Sequence, residues 1–511
     1  MEKKIGLKEA YCIGVGGMIG GGIFAVLGLS IYLARSAAPL SFLLAGTIAL
    51  LTGYSYSKLS MRFPSRGGTV EFLIKAFGTG VFTGTLNLLL LMSYIVMLGL
   101  YAYAFGAYAA NLFHIPREVL SAVAILLFTV INAFGIILSS KTENLLVFTK
   151  LAILLGLASA GILFLNTSHF HVEDYVNIVR VIAGGMIIFL AYEGFELIAN
   201  IGNDIKDVSI YKKAYYLSII SVTLIYVLIA IITIGTLPFS IIIKAKDYVL
   251  AIVAKPIFGT LGFLIVSIAA LFSTSSAINA TLYGTAGISY LIAKYGQLPQ
   301  TLSKKVWKNS YEGLLIISLL SILLSIFGNL ESIATAGSCG FLLIFFFINL
   351  AAIKLRNKLK IRAIIPLFGA GFSVLAISIL FWNMFTKGPK NILIFMLMIL
   401  SSFLIEVCYR NVSKREIQEY IDLNLKKREE KIQKWESWLP KVISAIKNAI
   451  EDAEVKLLGS IKRGEMEKST DVDLFVITSK SIEREDVKRI IRSVDKTLEN
   501  IVDVKIKKKE K

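Results

Sequence analysis

The sequence predicts an all-α polytopic membrane protein of about twelve transmembrane helices, followed by a small soluble α/β domain. Three observations predict it. The 511 residues are 56% hydrophobic with a mean hydropathy of +0.71, more than a soluble domain tolerates. Apolar runs of roughly twenty residues recur along the first four-fifths of the chain, each long enough to cross a bilayer as a helix. Charge is segregated, since residues 409–511 hold 25 of the 54 Lys and Arg and 20 of the 35 Asp and Glu. The last fifth is therefore a different, soluble object. Cys12, Cys339 and Cys408 lie in or beside apolar runs, which argues against a disulfide framework. The amino end carries no signal-peptide cleavage pattern, so the first span is expected to persist in the mature protein.

In chain order the expected spans lie near 10–33, 39–61, 81–112, 118–139, 144–165, 178–200, 213–236, 258–291, 312–328, 333–353, 362–384 and 391–408. Orientation follows from Lys and Arg in the short loops: twenty fall on the amino-terminal side and eight on the other. Both termini are expected in the cytoplasm. His114, His169 and His171 fall in outside loops and are read as solvated rather than as metal ligands.

The first span contains Gly14-Val15-Gly16-Gly17-Met18-Ile19-Gly20-Gly21-Gly22-Ile23-Phe24, with no charged residue from 10 to 34. A helix in lipid must satisfy its own backbone, and consecutive glycines are where it most easily fails to. A break there frees N–H groups at the start of a second half-helix near Ile23, and such a positive end at mid-membrane receives a carboxylate. The alternative is close helix packing through Gly16-x-x-x-Gly20.

Further segments share an order. Arg62-Phe63-Pro64-Ser65-Arg66-Gly67-Gly68-Thr69-Val70-Glu71-Phe72 and Phe77-Gly78 follow span two; Asn132-Ala133-Phe134-Gly135 precedes Asn144-Leu145-Leu146-Val147 and Lys150. Phe189-Leu190-Ala191-Tyr192-Glu193-Gly194-Phe195-Glu196 lies in span six, and Gly296-Gln297-Leu298-Pro299 ends span eight. With the glycine run, these segments resemble the amino acid–polyamine–organocation (APC) transporter superfamily over residues 6–408. The chain departs from it at Asn203-Asp204, where many members have Asn-Pro, and at Gly287, where an arginine is frequent.

The resemblance implies a leucine-transporter-type fold, in which helices one to five and six to ten form inverted repeats and two helices follow. It places substrate at mid-membrane breaks in helices one and six. Gly20, Gly21 and Gly22 then offer backbone donors to an α-carboxylate. Phe189, Leu190 and Ala191 end a half-helix whose carbonyls suit an α-ammonium, so a zwitterion needs no charged side chain to hold it. Side-chain selectivity falls to Phe189, Leu190, Glu193 and nearby aromatic residues. In some proton-coupled relatives a lysine at the position of Lys150 replaces a sodium ion between helices one and eight. Lys150 is thus the candidate coupling group, with the Ser273, Thr274 and Ser276 hydroxyls as partners on helix eight; snorkelling to the headgroups is the alternative. Glu193 and Glu196 are open to three readings: proton carrier, reader of a cationic or strongly polar substrate side chain (Glu193), or structural pairing with backbone N–H groups.

Residues 409–439 form a charged linker, with Ile417, Ile421, Leu425, Ile432, Trp435 and Leu439 at helical spacing. Residues 440–511 carry Gly459-Ser460, then Asp471-Val472-Asp473 and later Asp503. Residues two apart on a strand face one way, so Asp471 and Asp473 converge and can hold Mg²⁺ with a nucleotide's phosphates. Gly459 admits a phosphate to the backbone and Ser460 adds a hydroxyl. The ordered set resembles a minimal nucleotidyltransferase domain, which implies Asp503 as third carboxylate.

The expected function is secondary transport of amino acids across the cell membrane, proton-coupled, with the terminal domain regulating it. The partners are then an amino acid, the lipid bilayer and a proton. Transport needs no cofactor, the terminal domain takes Mg²⁺ and a nucleotide, and no nucleic acid is expected. Two alternatives stand: an exchanger or carrier of polyamines and cationic solutes, and a membrane-anchored sensor whose output is nucleotidyl transfer.

Overall fold

The computed structural model describes residues 4–134, 140–299, 302, 305–307, 310–311, 313–387, 390–413, 435–458, 472–479, 484–495, 498 and 502–508. The chain divides into two compact units, Met1–Gln418 and Glu419–Lys511.

The first unit is helical. Its helices are α1 (Leu7–Met18), α2 (Gly22–Ala34), α3 (Ala38–Arg62), α4 (Gly68–Phe77), α5 (Val81–Phe113), α6 (Arg117–Ala133), α7 (Ser140–Gly161), α8 (Val172–Val176) and α9 (Ile178–Ile188). After an irregular stretch come α10 (Ser209–Thr236), α11 (Phe239–Lys244), α12 (Val249–Lys294), α13 (Gly313–Phe327), α14 (Leu330–Lys354), α15 (Arg356–Leu359), α16 (Ile364–Lys387) and α17 (Lys390–Ser413). A short antiparallel pair, β1 (Lys305–Trp307) and β2 (Ser310–Tyr311), interrupts the series.

Nine stretches among the described residues are long and apolar enough to cross a membrane. One of them, Gly22–Arg62, holds both α2 and α3, which meet at a turn where Arg35 takes φ 51°. The expected spans 118–139 and 312–328 correspond to shorter helices, α6 with 17 residues and α13 with 15. The unit is therefore a multi-pass membrane protein. Helix α5 runs through its middle, 89% of its apolar window being buried, whereas the Ile392–Val412 window is peripheral at 22%. Large apolar side chains such as Leu43, Leu126, Leu261 and Phe385 stay exposed, as a lipid-facing surface requires.

The amino end is tied to the stretch after α9. Ile5 pairs with Ile205: the Ile5 N–H donates to the Asp204 carbonyl at 2.8 Å, and the Lys206 N–H to the Ile5 carbonyl at 2.9 Å. Arg66, between α3 and α4, forks onto the Asp204 carboxylate at 2.8–3.1 Å. These contacts set the start of α1 beside the chain that leaves α9.

In the second unit β3 (Glu454–Leu458) runs antiparallel to β4 (Val472–Thr478), which runs parallel to β5 (Val502–Lys508). A parallel pair needs a crossover, and the helix Arg484–Val494 lies in it. Leu474 and Val476 on β4 and Val502 and Val504 on β5 are buried at the period of two that a one-sided sheet demands. They pack with Leu439, Val442 and Ile446 of the helix Trp435–Ala449. Asp452 ties the end of β4 by accepting from the Thr478 hydroxyl at 2.7 Å and from both the N–H and hydroxyl of Ser479. Those bonds hold its carboxyl well below the usual carboxylate range. The linker positions Ile417, Ile421, Leu425 and Ile432 lie outside the described residues.

Candidate functional site

The glycine run breaks the first span in two. Helix α1 stops at Met18, Ile19 leaves helical geometry at φ −82°, ψ 49°, and α2 starts at Gly22, one residue before the expected position. The first bond of the new helix runs from the Ala25 N–H to the Gly21 carbonyl at 3.0 Å, so the N–H groups of its first turn have no acceptor within the helix. Side chains are excluded here. An added Cβ on Gly21 would enter the Tyr101 ring, and one on Gly22 would lie 2.6 Å from the Ala191 Cα.

The sixth span breaks opposite. After Ile188 the chain makes a 3₁₀ turn over Phe189–Tyr192, Glu193 is extended at φ −66°, ψ 149°, and Gly194 takes φ 114°. A second 3₁₀ stretch then runs Phe195–Asp204, kinked at Gly202. The two breaks touch backbone to backbone: a Cβ on Gly17 would lie 2.8 Å from the Gly194 Cα. Two half-helix ends of opposite sign therefore meet at one place, α2 presenting N–H groups and α9 carbonyls.

Two of those carbonyls are already used, Leu190 accepting from the Glu193 N–H at 3.4 Å. The Tyr226 hydroxyl, on α10, bridges the Ala191 carbonyl at 3.1 Å and the Met18 carbonyl at 2.8 Å. The expectation that the carbonyls of Phe189–Ala191 stand unpaired is corrected at Leu190, where the 3₁₀ turn closes on it, and at Ala191, where a tyrosine from a distant helix reaches it. On the other flank the Ser273 hydroxyl of α12 donates to the Gly20 carbonyl at 2.6 Å and contacts the Ile19 carbonyl at 3.1 Å. Thr274 bonds back to its own helix at Ala270 instead.

Glu193 and Glu196 are both buried, and they differ. Glu196 accepts from the Tyr94 hydroxyl at 2.8 Å and from the Gly194 N–H at 2.7 Å, which pins the break. Neither carboxylate oxygen of Glu193 has a hydrogen-bond partner among the described residues. Lys150 lies on α7 and is 5% exposed, one turn beyond Val147, which packs against Gly16 of α1.

A cavity of about 80 Å³ adjoins the breaks on the α1 side, lined by Gly16, Gly17, Tyr94, Tyr101, Gly194 and Glu196, with Ser276 and Thr281 from α12. Three tyrosines of α5 at seven-residue intervals follow the broken span. Tyr94 holds Glu196, Tyr101 covers Gly21, and Tyr108 donates to the Phe24 carbonyl at 3.3 Å. Motif reading missed them, although spacing of seven puts all three on one helix face.

In the second unit, Asp473 on β4 is the register partner of Asp503 on β5, and Leu458 that of Asp473. The two aspartate backbones are thus neighbours on adjacent strands, roughly 4.8 Å apart. That suits a pair of carboxylates meant to share a divalent cation. Gly459, Ser460 and Asp471 lie outside the described residues. Among the described residues no cluster of three or more His, Cys, Asp and Glu side chains is placed to hold a metal.

Comparison with known proteins gives a consistent picture. The family model described as amino acid permease matches residues 5–406, and that described as nucleotidyltransferase domain matches residues 414–511. An uncharacterized protein of Methanocaldococcus jannaschii is 36% identical over 427 residues, covering 81% of this chain and 97% of its own. The inner membrane transport protein YbaT of Escherichia coli is 31% identical over 421 residues, covering 81% and 97%. Among solved structures, a manganese transporter of Eremococcus coleocola superimposes with a TM-score of 0.52 at 12% identity, over 79% of this chain and 92% of that one, which speaks for the fold alone.

Proposed function

Because the chain belongs to the amino acid permease family and carries a nucleotidyltransferase domain at its end, we propose that it is a proton-coupled secondary transporter of amino acids whose terminal domain regulates it. The observation that carries the reading is the contact between the two interrupted spans, Gly17 against Gly194 and Gly22 against Ala191. It brings the first N–H groups of α2 and the carbonyl end of the α9 segment to one point inside the membrane, where an α-carboxylate and an α-ammonium can be bound without a charged side chain. We read the architecture as twelve spans in a five-plus-five inverted repeat with two further helices, and both termini as cytoplasmic.

In this scheme Gly20–Gly22 hold the carboxylate and Phe189–Ala191 the ammonium, with Glu193 beside them. Lys150 carries the coupling charge, assisted by Glu196, Ser273 and Ser276. The Ser273 hydroxyl already answers the Ile19 and Gly20 carbonyls, a place where a bound cation would otherwise be needed. Purified protein in liposomes is expected to take up at least one labelled L-amino acid, faster with the outside acidic and without sodium. If no member of a full amino-acid panel accumulates under any gradient, the transport reading is wrong.

For the second unit we propose that residues 440–511, behind a linker at 409–439, bind a nucleotide with Mg²⁺. Gly459 and Ser460 serve the phosphates, and Asp471, Asp473 and Asp503 hold the metal. The register pairing of Asp473 with Asp503 supports it, because it puts two acidic positions side by side on adjacent strands. Mg²⁺ when bound would screen phosphate charge; the chain's own part is to position it. Calorimetry on the full-length protein should show nucleotide binding only with divalent metal, weakened roughly tenfold or more by Asp473→Asn. Equal binding in EDTA would exclude the metal role.

A further inference from the structure

Glu193 is the group of the membrane unit that zwitterion binding leaves unexplained. It stands in the second break between Tyr192 and Gly194, with no exposed surface, and neither of its oxygens has a hydrogen-bond partner among the described residues. Three tyrosine hydroxyls of the region are committed elsewhere, Tyr94 to Glu196, Tyr192 to the Phe42 carbonyl, and Tyr226 to the Met18 and Ala191 carbonyls, whereas Tyr101 faces the cavity. A carboxylate left alone in so apolar a setting is costly. Protonation answers only part of that cost, because the neutral acid still needs an acceptor for its O–H.

We propose that Glu193 is the counter-charge for a positive group on the substrate's side chain, so that the preferred substrates are amino acids with a cationic side chain. The inference rests on the permease reading above. The charge arithmetic favours it. The substrate's own carboxylate and ammonium are answered by the ends of α2 and α9, which carry no net charge between them. Glu193 and Glu196 are then the acidic side chains at the break, and a positive group on the ligand's side chain offsets Glu193, the one without a hydrogen-bond partner among the described residues. Glu193 sits one residue before Gly194, which lines the cavity beside the breaks with Tyr101 and Glu196. Glu196 differs in that each of its oxygens already accepts one hydrogen bond, from Tyr94 and from the Gly194 N–H.

The test compares L-lysine with L-norleucine, which is lysine without its terminal ammonium, by calorimetry on the full-length protein in detergent. Wild-type protein is expected to bind lysine at least about tenfold more tightly, and in E193Q the two affinities are expected to converge. Equal or tighter binding of norleucine by the wild type overturns the inference and leaves the permease reading standing. So does a lysine preference that survives in E193Q. Binding of no L-amino acid at all overturns the permease reading, and the inference with it. If E193Q does not fold, the wild-type comparison still decides.

Discussion

Gly194→Ala is expected to abolish uptake while Gly287→Ala leaves it intact. Gly194 takes φ 114°, where a side chain costs about 1–3 kcal/mol in strain alone. Its Cβ would also meet the backbone of Gly17, with the Gly17 Cα only 2.6 Å away, and neither strand of that contact is a flexible side chain that could swing aside. Relief requires the two breaks to part, which would separate the α2 N–H groups from the α9 carbonyls and release the Gly194 N–H from Glu196. Gly287 has nothing within 4 Å of an added Cβ and is the control for a glycine lost from open space. Liposome uptake measures the effect, and detergent size-exclusion shows whether the variant is still assembled. Wild-type uptake by an assembled Gly194→Ala protein would mean that contact between the breaks is not part of the transport site.

Much of this arrangement is legible in the chain, for physical reasons that differ from residue to residue. The interruption at Gly20–Gly22 is visible because three glycines in lipid cannot hold a helix against two approaching elements, here Tyr101 and Ala191. The second break is legible at Glu193-Gly194 through the resemblance of Phe189–Glu196 to the interrupted sixth helix of the APC superfamily. What closes the site is not visible in the same way. Tyr226 reaches two carbonyls, and Ser273 two more, from helices distant in sequence, so no local pattern announces either bond. The tyrosine column of α5 is the intermediate case: residues 94, 101 and 108 recur at seven and share a face, but only packing assigns each its partner. In the second unit the strands read easily from alternation, and the register that pairs Asp473 with Asp503 does not.

Lys150→Ala is expected to remove gradient-driven uptake, lowering it roughly tenfold or more at an inward acid gradient, while sodium has no effect on either protein. Lys150 is nearly fully buried on α7, which packs on α1 just below the first break. In the proposed coupling, Lys150 is the positive side chain beside the first break on which an acid gradient would act. Alanine removes that charge and leaves space where the lysine stem packed; Lys150→Met fills the space without the charge and separates packing from coupling. If Lys150→Met transports like the wild type under an acid gradient, or if the wild type requires sodium, Lys150 is a buried packing residue and the proton mechanism fails. If instead both variants still exchange external for internal substrate with no gradient but no longer concentrate it, the binding site is intact and only the coupling has been lost, which is the outcome expected for a group that moves charge and does not hold the ligand.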